Sequence, residues 1–172
     1  ERTLEQCDLL PAVPVPVLSG LPAPAELESW TDPGISPSFV DLMVLSQSCD
    51  LVDGDINGVL LARFQSWSSI LKSRLDSGET TGKSHKQSLR KNRISGQIVI
   101  PPSSEILDHE WSVIDFHSLY TLPLPYLEEF AASLTRRLRV EAPYRQGIVG
   151  AFSGWLGRPE YLDELADFDD IA

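Results

Sequence analysis

Two apolar runs set the terms on which this chain can fold. Phe39–Ser46 (FVDLMVLS) and Val59–Phe64 (VLLARF) are short, rich in apolar and β-favouring residues, and bounded by turn-forming sequence. Runs of this length and composition predict buried strands rather than helices. Gln47 to Gly58, between them, is polar and turn-forming. The two runs are therefore expected to be adjacent antiparallel strands of one curved sheet.

The remaining elements are read around that pair. Leu9 to Leu18 alternates Pro and Val, which suits an extended edge strand better than a central one. Pro22, Pro24, Pro33 and Pro37, with Gly20 and Gly34, predict a long loop. Trp67, Ile70, Leu71 and Leu75 fall close to helical spacing, so Gln65–Leu75 is expected to be a short helix. Ser77–Asn92 is polar and basic and reads as a surface loop. Ile94–Ile100 predicts a third strand stopped by Pro101 and Pro102, Ser112–Phe116 a fourth, and Leu119–Leu122 a fifth. Pro125 followed by Tyr126–Leu138 predicts a helix, with acids early and arginines late as the helix dipole favours. Tyr144–Leu156 predicts a second, weakened by Gly147, Gly150 and Gly154. The expected class is a single-domain α+β protein.

Charge narrows the function classes. The 172 residues carry 14 Lys and Arg against 25 Asp and Glu, which argues against a dedicated nucleic-acid binder. The distribution argues the other way. Eleven of the 14 cations fall between Lys72 and Arg93 or between Arg136 and Arg145, while Glu160–Asp170 holds six acids and no base. Such polarisation carries more information than the net sign. No run is long enough for a membrane span, none reads as a signal peptide, and two cysteines make no disulfide framework. The expectation is a cytoplasmic protein with both thiols reduced.

The order of strands carries a resemblance. Cys7-Asp8-Leu9-Leu10, Met43-Val44-Leu45-Ser46, Leu60 to Ser66 (LLARFQS), Gln97-Ile98-Val99-Ile100-Pro101 and Ser112-Val113-Ile114-Asp115 follow one another over roughly Gln6–Leu122. This succession resembles the MazF/PemK/Kid family, small SH3-like barrels that include bacterial toxin–antitoxin endoribonucleases. The resemblance implies a MazF/PemK-type β-barrel over residues 1–125, a C-terminal helical extension over 126–158 and an acidic tail over 159–172. It also implies an RNA-directed protein of a toxin–antitoxin or defence module, cleaving RNA through the 2′-hydroxyl without metal or cofactor. The chain departs from the family where the toxins carry a catalytic Arg, since Ser36-Pro37-Ser38-Phe39 holds none. Ser66 stands where they have a catalytic Thr, and Cys7 where they have Gly.

Several residues are candidates for chemistry, each with a plainer reading beside it. Ser66 and His117, with Tyr120 nearby, are candidates for a site at the barrel mouth; a His there is more often packed or capping. Cys49 and Asp50 follow a buried strand, so Cys49 is either a nucleophile served by His85, His109 or His117, or a small buried hydrophobe. Lys83, Lys86, Arg90, Lys91 and Arg93 are candidates for holding RNA phosphates, or form a surface loop paired with the acidic tail. No Phe, Tyr or Trp lies within that stretch to stack bases. Trp67, Trp111 and Trp155 read as core or groove fillers. Asp50, Asp53 and Asp55 lack the full calcium-loop pattern, and no Cys or His pair has zinc spacing, so no metal is assigned. The alternative function is a non-catalytic barrel binding a protein partner, such as an antitoxin, through its helices and acidic tail.

Overall fold

The computed structural model describes residues 3–19, 34–54, 56–78, 83–91, 93–103 and 110–157. The predicted loop around Pro22, Pro24 and Pro33, residue His109 and the acidic tail lie outside them. The fold is α+β. Six strands, β1 (Asp8–Ser19), β2 (Gly34–Val44), β3 (Gly58–Ser66), β4 (Gln97–Ile100), β5 (Ser112–Pro123) and β6 (Leu138–Arg139), form one antiparallel sheet in the order β4-β5-β3-β2-β1-β6. The two apolar runs are adjacent and antiparallel as expected, with Met43 opposite Ala62 and Val44 opposite Leu61.

Their continuous apolar character follows from burial on both faces. One face, carrying Leu10, Leu42, Val44, Val59 and Leu61, packs against Leu124, Leu127 and Ala131 of a helix we label α4 (Leu124–Ser133). The other, carrying Leu9, Met43, Ala62, Phe64, Ile114 and Phe116, packs against Ile148, Phe152 and Trp155 of α5 (Tyr144–Leu156). The sheet is thus a middle layer, and alternate residues of one strand serve different cores. β1 behaves as the edge strand its prolines predict. β6 pairs only with Asp8 and Leu9, so Pro14 and Pro16 lie where, among the described residues, one side of the strand has no partner strand and a missing N–H costs no ladder bond. A bulge after Leu10 sets Ala12 at φ 50°, and its N–H donates to the Asp41 carboxylate at 2.8 Å.

Several expectations are corrected. Pro37 and Gly34 belong to β2 rather than to a loop. The fourth and fifth strands are one, β5, broken in register between its pairings with Ala62 and Arg63. Within Gln47–Gly58 lies a short helix, α1 (Ser48–Asp53), ended by Gly54 at φ 70°. The predicted helix at Gln65–Leu75 is α2 (Trp67–Asp76), although it buries no residue. The basic Ser77–Asn92 stretch is not all loop, because Lys83–Arg90 forms a helix, α3. The predicted Tyr126–Leu138 helix stops at Ser133, and Arg137, one of the arginines expected to serve its dipole, pairs with Asp8 instead.

The expected barrel is not closed by hydrogen bonds, since no ladder joins β4 to β6 among the described residues. Both edges nevertheless line one cleft of about 200 Å³, Ile100 to Ser103 from one side and Leu138 to Glu141 from the other. The β6 edge is held by Asp8. This carboxylate is fully buried and accepts from Arg139 Nε at 2.6 Å, Arg139 Nη2 at 3.1 Å, Arg137 Nε at 3.1 Å and the Glu5 N–H at 2.9 Å. Arg139 also pairs with Glu5 at 2.6 Å, and Arg137 donates to the Thr3 carbonyl at 2.7 Å. The hydrogen bond that Arg139 donates to Asp8 is the first reason its pKa is raised. Because the pair is buried, Asp8→Ala should cost about 3–5 kcal/mol by leaving two guanidinium groups short of a partner. Urea denaturation checks this, with a loss under about 1 kcal/mol, the range of an exposed pair, as the contrary result.

Candidate nucleic-acid interface

α3 is a basic helix in an acidic protein. Lys86, Arg90 and Lys91 are exposed, as is Arg93 just after the helix. None of the four has a carboxylate within ion-pair distance among the described residues. Lys83 opens the helix, and its side chain lies outside the described set. Lys86 and Arg90, four residues apart, share one helix face. The N–H groups of Lys91 and Arg93 both donate to the Ser88 carbonyl, which folds the chain around the helix end and keeps Arg93 close to it.

The helix is seated on the sheet by few contacts. Leu89 is buried, and the His85 ring stacks on Trp67 at 5.9 Å with an interplanar angle of 11°. These two, also four residues apart, form the face that turns inward. Under it is a second cleft of about 200 Å³, lined by Trp67, Trp111, Val99, Val113 and Leu89, with Lys86 and Arg90 beside them. The tryptophans come together because Ser66 pairs with Ser112 where β3 ends and β5 begins, so the following and preceding residues are neighbours. The Trp67 N–H donates to the Trp111 carbonyl at 2.7 Å. Aromatic residues absent from the basic stretch are thus supplied by two other elements. The β3–β5 register was the signal that would have found them.

The predicted catalytic residues are not gathered into one site. Ser66 is the N-cap of α2, accepting from the Ser69 N–H at 3.2 Å and donating to the Ser69 hydroxyl at 2.8 Å. Ser68 bonds Glu110 across the same corner. His117 lies five residues along β5 from Ser112, so at about 3.3 Å per residue it is roughly 15 Å from Ser66. Cys49 and Asp50 sit on α1, which follows β2. The Cys49 thiol contacts Gln47 Oε1 and Asp50 Oδ1 and, among the described residues, no histidine. The buried-hydrophobe reading of Cys49 is wrong, because the thiol is exposed; the buried cysteine is Cys7.

His117 does have a defined partner. Its Nδ1 lies 2.9 Å from Asp115 Oδ1, and its side chain is 55% exposed. The Asp115 carboxylate also accepts from the His117 N–H and the Ser118 hydroxyl, each at 3.2 Å. Burial alone would raise the Asp115 pKa, but the His117 ring and these donors outweigh it and hold it below the ordinary value. The ring is clamped by Trp155, edge-on at 5.5 Å, and by Gly96, where an added Cβ would collide with the His117 ring and come within 2.8 Å of Trp155 Nε1. With Nδ1 taken by the carboxylate, Nε2 is the nitrogen left for proton transfer.

Two of the four arginines in the second basic cluster, Arg137 and Arg139, are bound to Asp8. α3 and the turn after it hold four exposed cations close together in sequence. The chain matches no family model and no curated protein. Among the described residues, no helix is long and apolar enough to cross a membrane.

Two expectations follow from this chemistry. Burial pushes the Cys7 thiol up to about 11, whereas Cys49 is exposed. A disulfide reagent at pH 8 should therefore titrate one thiol in the native protein and two after unfolding; two fast native thiols would contradict the placement of Cys7. Asp115, with its pKa lowered on folding, contributes stability above the ordinary carboxyl range that is lost as pH falls through its folded value. Asp115→Asn should flatten the acid limb of a stability–pH curve below about pH 4, and an unchanged limb would contradict the assignment.

Proposed function

We propose that this protein binds RNA through α3, as an RNA-directed protein of the MazF/PemK-like kind. The observation that carries the reading is the set Lys86, Arg90, Lys91 and Arg93, four exposed cations without carboxylate partners among the described residues, in a chain of formal net charge −11. Exposed cations so grouped repel one another, and phosphates relieve that repulsion while releasing their own counterions. The family side of the proposal draws support from two further features. Cys7 sits at φ 67°, a conformation that favours the Gly the family carries there. The two sheet edges also face each other across one cleft, as in a barrel lacking its last ladder.

Within this reading His117 is the candidate general base. Its Nε2 takes the proton of a ribose 2′-hydroxyl, the 2′-oxygen attacks the adjacent phosphorus, and the 5′-oxygen leaves and takes a proton from solvent water, giving a 2′,3′-cyclic phosphate and a 5′-hydroxyl end. Asp115 holds the ring through its contact with Nδ1. The other reading, a protein-partner module, is favoured by Ile35 and Phe39, which leave large apolar side chains exposed on the β1–β2 ribbon. It would use that ribbon rather than α5, whose Ile148, Phe152 and Trp155 are already packed on the sheet.

Changing Lys86, Arg90, Lys91 and Arg93 together to Ala tests the RNA reading. RNA affinity should fall strongly, and the slope of log affinity against log salt should flatten by roughly 0.7 for each phosphate that is no longer neutralised. Fold stability should change little, because exposed charges bury little area. Fluorescence anisotropy with a short labelled RNA at several salt concentrations reads both. No salt-sensitive binding by the intact protein would sink the proposal in favour of the partner module.

A further inference from the structure

We infer that the cleft beneath α3 is a base pocket, and that the ligand on this surface is single-stranded RNA with one base unstacked into it. This rests on the RNA reading above and adds to it the place on the surface where a base is held. The cleft holds about 200 Å³ between Trp67, Trp111, Leu89, Val99 and Val113. That is below the roughly 300–1,000 Å³ of sites that engulf a whole small ligand, so it suits one planar ring system with sugar and phosphate left outside. Lys86 and Arg90 line the same cleft and are the groups that a flanking phosphate would meet. Ring and anion are thus served by different parts of one site, which is the division of labour in single-strand binding.

The two tryptophans are unequal, and the inequality points to a ligand. Trp67 is half-buried and stacked on His85, so its plane is fixed before anything binds. Trp111 is 54% exposed, an indole left partly in water at the mouth of an apolar cleft. A base stacking there would cover it and recover apolar area. The cleft offers almost no hydrogen-bond code. Among the described residues its one short polar side chain, Ser112, is buried and donates its hydroxyl to the Glu110 carbonyl at 3.1 Å. The pocket therefore accepts a π-face without choosing among bases, and a paired, stacked base of a duplex cannot enter it.

Anisotropy with one labelled RNA, offered as a single strand and annealed to its complement, tests this on the full chain. Trp111→Ala and Trp111→Phe are compared with the intact protein, and a thermal melt confirms that each folds. The intact protein should prefer the single strand. Trp111→Ala should weaken single-strand binding roughly 5- to 150-fold, leaving duplex binding and the salt slope unchanged, while Trp111→Phe keeps most of the affinity. If salt-sensitive binding persists but Trp111→Ala spares both forms, or weakens both equally, the base pocket is wrong and the RNA reading stands. If neither form binds with salt sensitivity, the RNA reading fails and the pocket falls with it.

Discussion

A buried carboxylate organises this molecule. Asp8 opens β1 with no exposure to water, and an ionised group so placed survives only if it is paired and fully hydrogen-bonded. Its partners come from 131 residues away in sequence, where Arg139 makes the forked contact and Arg137 adds a second charge. That demand explains a strand of two residues. β6 has too few ladder bonds to hold an edge by itself, and its position is fixed by the guanidinium group it carries. The chain before it, α4, then lies over one face of the sheet, and the chain after it, α5, over the other. Thr3 and Glu5 are drawn into the same network, so the first described residues are tied down as well.

The same pair decides where positive charge is left available. Read along the sequence, the Arg136–Arg145 cluster and the Lys72–Arg93 cluster look equivalent. In the fold, Arg137 and Arg139 neutralise internal acids, whereas Lys86, Arg90, Lys91 and Arg93 neutralise nothing among the described residues. Two sequence features of similar appearance thus take opposite roles, one holding the architecture and the other open to a ligand. The difference is set by the location of Asp8, which no local pattern around the arginines reveals.

What the sequence discloses depends on how locally each choice is made. β2 and β3 are legible because burial on both faces leaves a continuous apolar run, and α5 because its Ile148, Phe152 and Trp155 recur near helical spacing. α3 is not legible, since it buries Leu89 alone and shows no apolar stripe. The end of α4 is misread because arginines near a helix C-terminus satisfy the dipole on paper, while a buried carboxylate offers them far more. The candidate site is only half visible. Its cations stand in one stretch, but its tryptophans lie 44 positions apart and meet through the β3–β5 register. Cys49 is misjudged because the general tendency of free cysteine toward burial was met by the other cysteine, Cys7.

An acidic protein with a cationic helix poses an apparent conflict that screening resolves. At physiological ionic strength the Debye length is about 8 Å, so exposed charges further apart than that scarcely act on one another. A polyanion at contact with α3 meets Lys86, Arg90, Lys91 and Arg93, not the formal net charge of −11. At longer range the net charge still counts, and it slows encounter with other polyanions at every orientation except the one that presents α3. Unlike a uniformly basic protein, whose affinity for nucleic acid is spread over its surface, a protein that binds RNA through α3 would concentrate attraction there. On the proposed reading, the apolar cleft directly beneath that helix would meet ligands already oriented by their charge. Contact through the cations and stacking in the cleft would then be separable steps, because the first depends on salt and the second on aromatic area.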